Sequence, residues 1–253
     1  MEFAMAGSGS RGNATVIRAG DTTLMVDCGF SFTEIKRRLE RLEMSVDDLD
    51  AILVTHEHGD HVSGVARLAA RMRIPVYASA GTARASARRR HFDGAKTFDS
   101  HARFSIKDIE ITPIIVPHDA AEPTQFLFTD GARYMAIMTD IGHATSFVTE
   151  SLGKLDALIL ESNHDAGMLA RGPYPPMLKE RVGGAYGHLS NAQTAELLCR
   201  LDLSKLHTLA LAHLSEKNNR RDLARESVVS ALDCPPDWVQ IAGQDEGLPW
   251  HSL

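Results

Sequence analysis

Apolar and polar residues fall into short blocks along this chain, and the period of the blocks changes as the chain proceeds. Residues 2–6 predict a strand, followed by the glycine-rich turn Gly7–Asn13. Ala14–Arg18 and Thr22–Val26 predict two strands joined through Gly20-Asp21, a hairpin signal. Over Ser31–Glu43 the period becomes helical: Phe32, Ile35, Leu39 and Leu42 share one face, with Lys36, Arg37 and Arg38 elsewhere. The bare apolar run Ala51–Val54 predicts a strand, Val62–Arg71 a helix, Pro75–Tyr77 a strand and Thr82–Arg90 a helix. Strands are then predicted over Ala102–Ile106, Ile109–Val116, Thr124–Thr129 and Arg133–Thr139, with Gly131 turning between the last two. Ala157–Leu160 and Thr208–Ala212 are short apolar runs of the kind buried on both faces of a sheet. Asn191–Leu201 and Asp222–Leu232 predict helices. No repeat and no Gly/Ser linker divides the chain, so residues 1–253 are expected to form one domain. Hairpins first, then strands alternating with helices, predict an α/β fold with two sheets, each covered by helices on its outer face.

Composition narrows the class without fixing the chemistry. Hydrophobic content of 43% and charged content of 24% suit an ordinary soluble globular protein. The net charge of −6 does not advertise a nucleic-acid binder, although a local basic patch can act within an acidic whole. Cys28, Cys199 and Cys234 are odd in number and widely spaced, which predicts free thiols in a reducing compartment. The start Met1-Glu2-Phe3 lacks a basic segment and an apolar core, so no signal peptide is expected. No apolar run approaches the ~18 residues of a membrane span. The expectation is a cytoplasmic protein that does not engage a membrane.

The chemistry is concentrated in Thr55-His56-Glu57-His58-Gly59-Asp60-His61, directly after the apolar run at 51–54. His56 and His58 are two apart and point the same way on an extended segment. Asp60 and His61 can turn toward a second point, so one loop can hold ligands for two metal ions. Imidazole and carboxylate suit zinc, manganese or iron. Further candidates stand where strands end: Asp27 after 22–26, His118 after 109–116, Asp140 after 133–139 and His213 after 208–212. Ligands at strand ends gather on one edge of a sheet sandwich. A bound divalent ion lowers the pKa of its water from about 15.7 to about 7, which supplies hydroxide at neutral pH. Such a centre could hydrolyse a phosphodiester, lactone, thioester or β-lactam.

The HxHxDH run, with His118, Asp140 and His213 following in order, resembles the metallo-β-lactamase superfamily. The resemblance implies a four-layered αβ/βα sandwich of two mixed β-sheets flanked by helices, with two divalent ions per chain, Zn²⁺ or Mn²⁺. It implies His56, His58 and His118 as ligands of the first, Asp60, His61 and His213 as ligands of the second, and Asp140 as their bridge. Asp27 resembles the aspartate that buttresses the site. The later blocks Glu161–Asp165 and Tyr186–Asn191 are similar to the phosphodiesterase branches. That likeness implies a general acid, His188, oriented by Glu161; with Asp60 these are the candidate catalytic residues. The physics fits, since a positioned imidazolium contributes about 10²–10⁴-fold when an alkoxide leaves.

A narrower resemblance spans residues 6–219: Ala6–Asn13, Thr55–His61, His118–Pro123, Glu161–Asp165, Gly187–Asn191 and Ala212–Ser215 with Asn218-Asn219 look like the YycJ/WalJ-like family. It implies a metal-dependent nuclease with 5′-to-3′ exonuclease activity, with nucleic acid as partner and DNA favoured over RNA; self-association stays open. Asn163, His164, Ser215, Asn218 and Asn219 are the candidate substrate contacts. Only 48 positions separate Asp140 from His188, too few for the clamp domain of larger nucleases of this superfamily. Nucleic acid would therefore meet short surfaces, either Arg84, Arg88, Arg89 and Arg90 or Lys217, Arg220, Arg221 and Arg225. Tyr174, in the loop Arg171–Pro176, could stack a base. The competing expectation is a hydrolase of a small cyclic phosphodiester, lactone or thioester on the same scaffold. A non-catalytic relic would not keep all seven ligand positions.

Overall fold

The opening hairpin forms as predicted, with β1 (Glu2–Gly7), β2 (Ala14–Ala19) and β3 (Thr22–Val26) paired antiparallel in sequence. These and all further elements are seen in a computed structural model that describes residues 1–253. Helix α1 (Phe32–Glu40) starts at Ser31, whose side chain accepts from Glu34 N. β4 (Ala51–Leu53) then adds parallel to β3. The helix predicted from Val62 is broken in two: a single turn, α2 (Gly59–Val62), and α3 (Val65–Met72). Gly64 between them lies so close to the Phe30 carbonyl oxygen that a side chain there would collide with it. β5 (Val76–Ser79), α4 (Ala80–Arg89) and β6 (Lys96–Phe98) follow, and the last strand, β14 (Leu248–Ser252), closes the other edge against β1. The first sheet therefore runs β14-β1-β2-β3-β4-β5-β6.

The second sheet repeats the plan. β7 (Phe104–Ile106), β8 (Ile109–Ile115), β9 (Thr124–Thr129) and β10 (Tyr134–Met138) form an antiparallel meander. β11 (Ala157–Glu161), β12 (Thr208–Ala212) and β13 (Val239–Ile241) extend it in parallel, giving the order β13-β12-β11-β10-β9-β8-β7. The intervening helices are α5 (Ser146–Ser151), α6 (Ala166–Arg171), α7 (Pro176–Gly183), α8 (Asn191–Cys199) and α9 (Arg221–Leu232). Helix α8 starts at Ser190 with a reciprocal cap from Gln193, which satisfies two backbone donors at once.

Strand alternation builds three apolar layers. Leu24, Leu53, Phe126, Ile137 and Ile159 meet between the sheets. Met25 and Ile52 point the other way, onto Ile35, Leu39 and Leu68 of the first helical layer. Leu158 and Leu160 meet Leu197, Ala224 and Val228 of the second. The result is the expected αβ/βα sandwich of two mixed sheets. No helix is long and apolar enough to cross a membrane.

Candidate metal centre

The C-terminal ends of β3, β4, β8, β10, β11 and β12 come out on one edge of the sandwich. The first sheet delivers Asp27 and the loop 55–61; the second delivers His118, Asp140, Glu161 and His213. Asp27, Asp140 and His213 each lie just past a strand with φ of 59°, 57° and 55°. This left-handed backbone is uncommon for residues other than glycine and collects at functional sites. It turns the chain out of the ladder and throws each side chain over the sheet edge.

Three histidines form one group. His56 Nε2 lies 3.0 Å from His58 Nδ1, and His118 Nε2 lies 3.3 Å from the same atom. Asp60, His61 and His213 form another, with Asp60 Oδ2 at 3.5 Å from His61 Nε2 and 3.4 Å from His213 Nε2. Asp140 stands between them, Oδ2 at 3.3 Å from His61 Nε2 and Oδ1 at 3.9 Å from His118 Nε2 and 3.6 Å from His213 Nε2. All seven predicted ligands thus converge.

Behind the ligands stands a buried frame. Asp27 accepts from Thr55 N and Thr55 Oγ1, both at 2.8 Å, and from His61 Nδ1 at 2.7 Å. That fixes the tautomer of His61 and aims its Nε2 at the centre. The turn Gly7–Asn13 braces the loop from the other side: Asn13 N donates to the Asp60 carbonyl, and Ser8 Oγ accepts from His213 N, both at 2.8 Å. Gly29 packs directly on that same carbonyl of Asp60, with no room for a side chain.

The donor set fits divalent cations. Asp140 Oδ2 is buried and makes no hydrogen bond, so a carboxylate oxygen is held out of water with only the His61 ring, at 3.3 Å, beside it. Burial alone would push His61 and His213 down. The carboxylates of Asp140 and Asp60 outweigh it, holding His61 well above its usual value and lifting His213 to about 10. Burial pushes His56 and His58 the other way, below the ordinary imidazole range. One end of the cluster is thus rich in neutral nitrogen donors, and at the other buried carboxylates draw positive charge onto the imidazoles beside them; this mixture of imidazole and carboxylate suits borderline divalent ions.

Beside the ligands sits the predicted acid. His188 Nδ1 lies 2.8 Å from Glu161 Oε1, and Glu161 Oε2 accepts from Ile141 N at 3.1 Å and Leu189 N at 3.0 Å. Burial works against a charge on His188, but Glu161 prevails and raises it. Burial likewise opposes ionisation of Glu161, yet His188 and its hydrogen bond hold the carboxyl below the carboxylate range. Glu161 is the last residue of β11, and strand alternation aims it at the sheet interface rather than at the helices. His143, which binds the Ala185 carbonyl at 2.8 Å, stays outside the cluster.

These groups floor a cavity of about 360 Å³ whose walls include Ser10, Asp119, Tyr174, Arg181, Asn163 and Ser215. Of the five predicted substrate contacts, only Asn163 and Ser215 reach the cavity lining. Asn219 is buried on the Ser162 carbonyl and Asn191 Oδ1. Asn218 donates to Ser215 Oγ and packs against Gly172. His164 is buried with its backbone bridged to Ser190. These three stand behind the wall and shape it. In the basic group at 217–225 the three arginines are engaged while exposed Lys217 is not: Arg220 pairs with Asp222, Arg221 with Glu246, and Arg225 binds the Val239 carbonyl. The pair Arg181–Asp119 is the wall feature that the sequence did not reveal.

Comparison with known proteins agrees with this geometry. The family profile described as "Beta-lactamase superfamily domain" matches residues 22–213. The chain is 34% identical over 239 residues to the exodeoxyribonuclease YycJ of Bacillus anthracis, covering 92% of this chain and 89% of the relative. It is 31% identical over 236 residues to the exodeoxyribonuclease WalJ of Streptococcus pneumoniae, covering 91% and 88%. Among solved structures, the metallo-β-lactamase fold protein YhfI of Bacillus subtilis superposes with a TM-score of 0.77 at 18% identity, over 99% of this chain and 98% of that one. With two mixed sheets carrying a divalent-ion donor set on one shared edge, and a similarity that runs nearly end to end, this chain belongs to the metallo-β-lactamase superfamily, in its YycJ/WalJ-like family of metal-dependent hydrolases.

Proposed function

We propose that this protein is a cytoplasmic, single-domain phosphodiesterase with two metal ions, which degrades nucleic acid, DNA in preference to RNA, from the 5′ end. One observation carries the reading: buried Glu161 lies 2.8 Å from half-buried His188, which lines the cavity beside the candidate metal ligands. A thioester or activated ester leaves without a proton; the alkoxide of a phosphodiester does not. The names of the relatives, both exodeoxyribonucleases, support the same substrate class.

His56, His58 and His118 would hold one ion and Asp60, His61 and His213 the other, with Asp140 shared. Such ions, zinc or manganese, supply hydroxide at neutral pH and Lewis acidity for a phosphoryl oxygen. The remaining work falls to the protein. Glu161 holds Nδ1 of His188, so the imidazolium presents its Nε2 proton to the departing oxygen. Asp27 and Asn13 keep the loop 55–61 from rotating. Asn163 and Ser215 are placed to bind the substrate from the wall, and Tyr174 to lie against a base or sugar.

The test is direct. Protein loaded with Mn²⁺ or Zn²⁺ is incubated with 5′- and 3′-end-labelled DNA and RNA, beside bis(p-nitrophenyl) phosphate. Shortening of DNA from its 5′ end is the expected result. Absence of cleavage of either nucleic acid, alongside efficient hydrolysis of a small cyclic phosphodiester or lactone, would overturn it. The cavity of about 360 Å³ is large enough for that alternative.

A further inference from the structure

We infer that the outer face of α3 and α4 is where the sugar–phosphate backbone of the substrate lies beyond the cavity, an inference that rests on the nucleic-acid reading above. Between Val62 and Phe92 the chain contains seven arginines and no Asp, Glu or Lys. The whole chain carries −6, so the remainder stands at −13. Charge is therefore strongly segregated, which the net value conceals.

On α3 and its C-terminus the arginines are Arg67, Arg71 and Arg73; on α4 and its C-terminus they are Arg84, Arg88, Arg89 and Arg90. All are exposed. None takes part in an ion pair, whereas Arg11, Arg37, Arg181, Arg220 and Arg221 all do. Of the seven, Arg71 alone lies over an aromatic ring, that of Phe32 at 4.3 Å.

The arrangement works against helix stability. Arg67 and Arg71, like Arg84 and Arg88, are four apart, so each pair sets like charges on one helical face. Arg67 also sits in the first turn of α3, where the helix dipole disfavours a cation. The dipole does account for Arg73 and Arg90, which end their helices, but not for Arg67 or Arg84. A polyanion lying across the face would remove the repulsion.

Both helices start next to segments that carry the centre. Helix α3 follows the ligand loop 55–61 directly. Helix α4 is tied to the loop after His118, with Ser79 Oγ donating to the Glu122 carbonyl at 2.8 Å and Thr82 Oγ1 donating to it at 3.2 Å. From there α4 runs for ten residues, about 15 Å, which spans about four phosphates of one strand. Arginine forks match phosphate oxygens, and no large apolar side chain is exposed on this face, as an anionic membrane would use.

The test uses the full, metal-loaded chain with Arg84, Arg88 and Arg89 replaced by alanine. Alanine favours helix, so α4 should persist, and circular dichroism checks it. Binding of a fluorescent phosphorothioate oligothymidylate, chosen to resist cleavage, is followed by anisotropy across a salt series. Affinity at low salt should fall at least tenfold, and the log–log salt slope should flatten by about 2, at about 0.7 per lost phosphate contact. Hydrolysis of bis(p-nitrophenyl) phosphate by the variant should be unchanged. Alanine at Arg220 and Arg221, already paired, should leave binding as it was. Unchanged affinity and slope in the triple variant would overturn the inference while leaving the nuclease reading intact. Arginine-dependent binding without cleavage of any natural nucleic acid would uphold the surface and sink the nuclease reading. Sedimentation with phosphatidylserine vesicles in place of oligothymidylate binding would overturn the inference in favour of a membrane.

Discussion

Replacement of Glu161 by glutamine probes the dyad with almost no change in volume. Glu161 is fully buried, and its Oε2 satisfies two backbone donors, Ile141 N and Leu189 N. In Glu161→Gln the amide oxygen should keep that place, because the alternative turns an NH₂ against two N–H groups. The amide nitrogen then faces His188 Nδ1, which can accept from it only by giving up its proton. His188 is left neutral, in the tautomer with its proton on Nε2, and becomes a weaker acid. A hydrogen bond to a charged group is worth about 1.5–3 kcal/mol, so kcat/KM on an alkyl phosphodiester should fall about ten- to hundredfold. His188→Ala removes the acid outright and should lose about 10²–10⁴-fold. The double variant should be no worse than His188→Ala, since two members of one unit do not add. Bis(p-nitrophenyl) phosphate, whose leaving group needs little protonation, should be far less affected by all three. The assay is steady-state kinetics on a dinucleotide and on the aryl diester, with metal content measured on each variant. Multiplying losses in the double variant, or equal losses on both substrates with metal retained, would refute the reasoning.

Asp140→Ala takes away the one carboxylate that reaches both ligand groups; elemental analysis should show close to two equivalents of metal in the parent protein and loss of most of it in the variant, and full retention would exclude a shared role for Asp140. The thiols should differ sharply. Burial pushes Cys28 up to about 12, so Ellman's reagent should modify exposed Cys199 in the folded protein and reach Cys28 only after unfolding, and prompt reaction of all three would contradict the packing around Cys28.

The apolar periodicity that makes most strands and helices of this chain legible in its sequence also accounts for the elements that are not. The candidate ligands are legible because they stand at or just beyond β-strand ends whose apolar runs are unmistakable, and four of them share one loop. The strands that went unrecognised, β6, β13 and β14, are all sheet edges. Edge strands are half-solvated and need no apolar alternation; β14 even carries Pro249, which an edge tolerates. Helix α7 escaped because none of its residues is buried, so it has no apolar period to detect. With α7 went Arg181, and with Arg181 the pair it makes with Asp119. Asn218, Asn219 and His164 were expected to touch substrate because polar residues near ligands suggest it. Instead all three are buried behind the wall, Asn219 on the Ser162 carbonyl and Asn191, and Asn218 on Ser215, and burial of that kind leaves no mark on a single sequence.

Each candidate ligand set draws on both halves of the sandwich, and this has a mechanical consequence. Asp60 and His213, 3.4 Å apart at the centre, are separated by 153 positions along the chain. An ion gripped by both is a cross-link closing a very long loop, the kind that restrains an unfolded chain most. Between the sheets lie side-chain packing and a few hydrogen bonds, such as Thr124 N to the Thr55 carbonyl and His213 N to Ser8 Oγ, which hold the halves together but resist sliding weakly compared with coordinate bonds. The centre that performs the chemistry would then also be the rivet of the fold. Chelation should loosen the whole sandwich, first at the rim where β10 and β12 end, well before any single strand leaves its sheet.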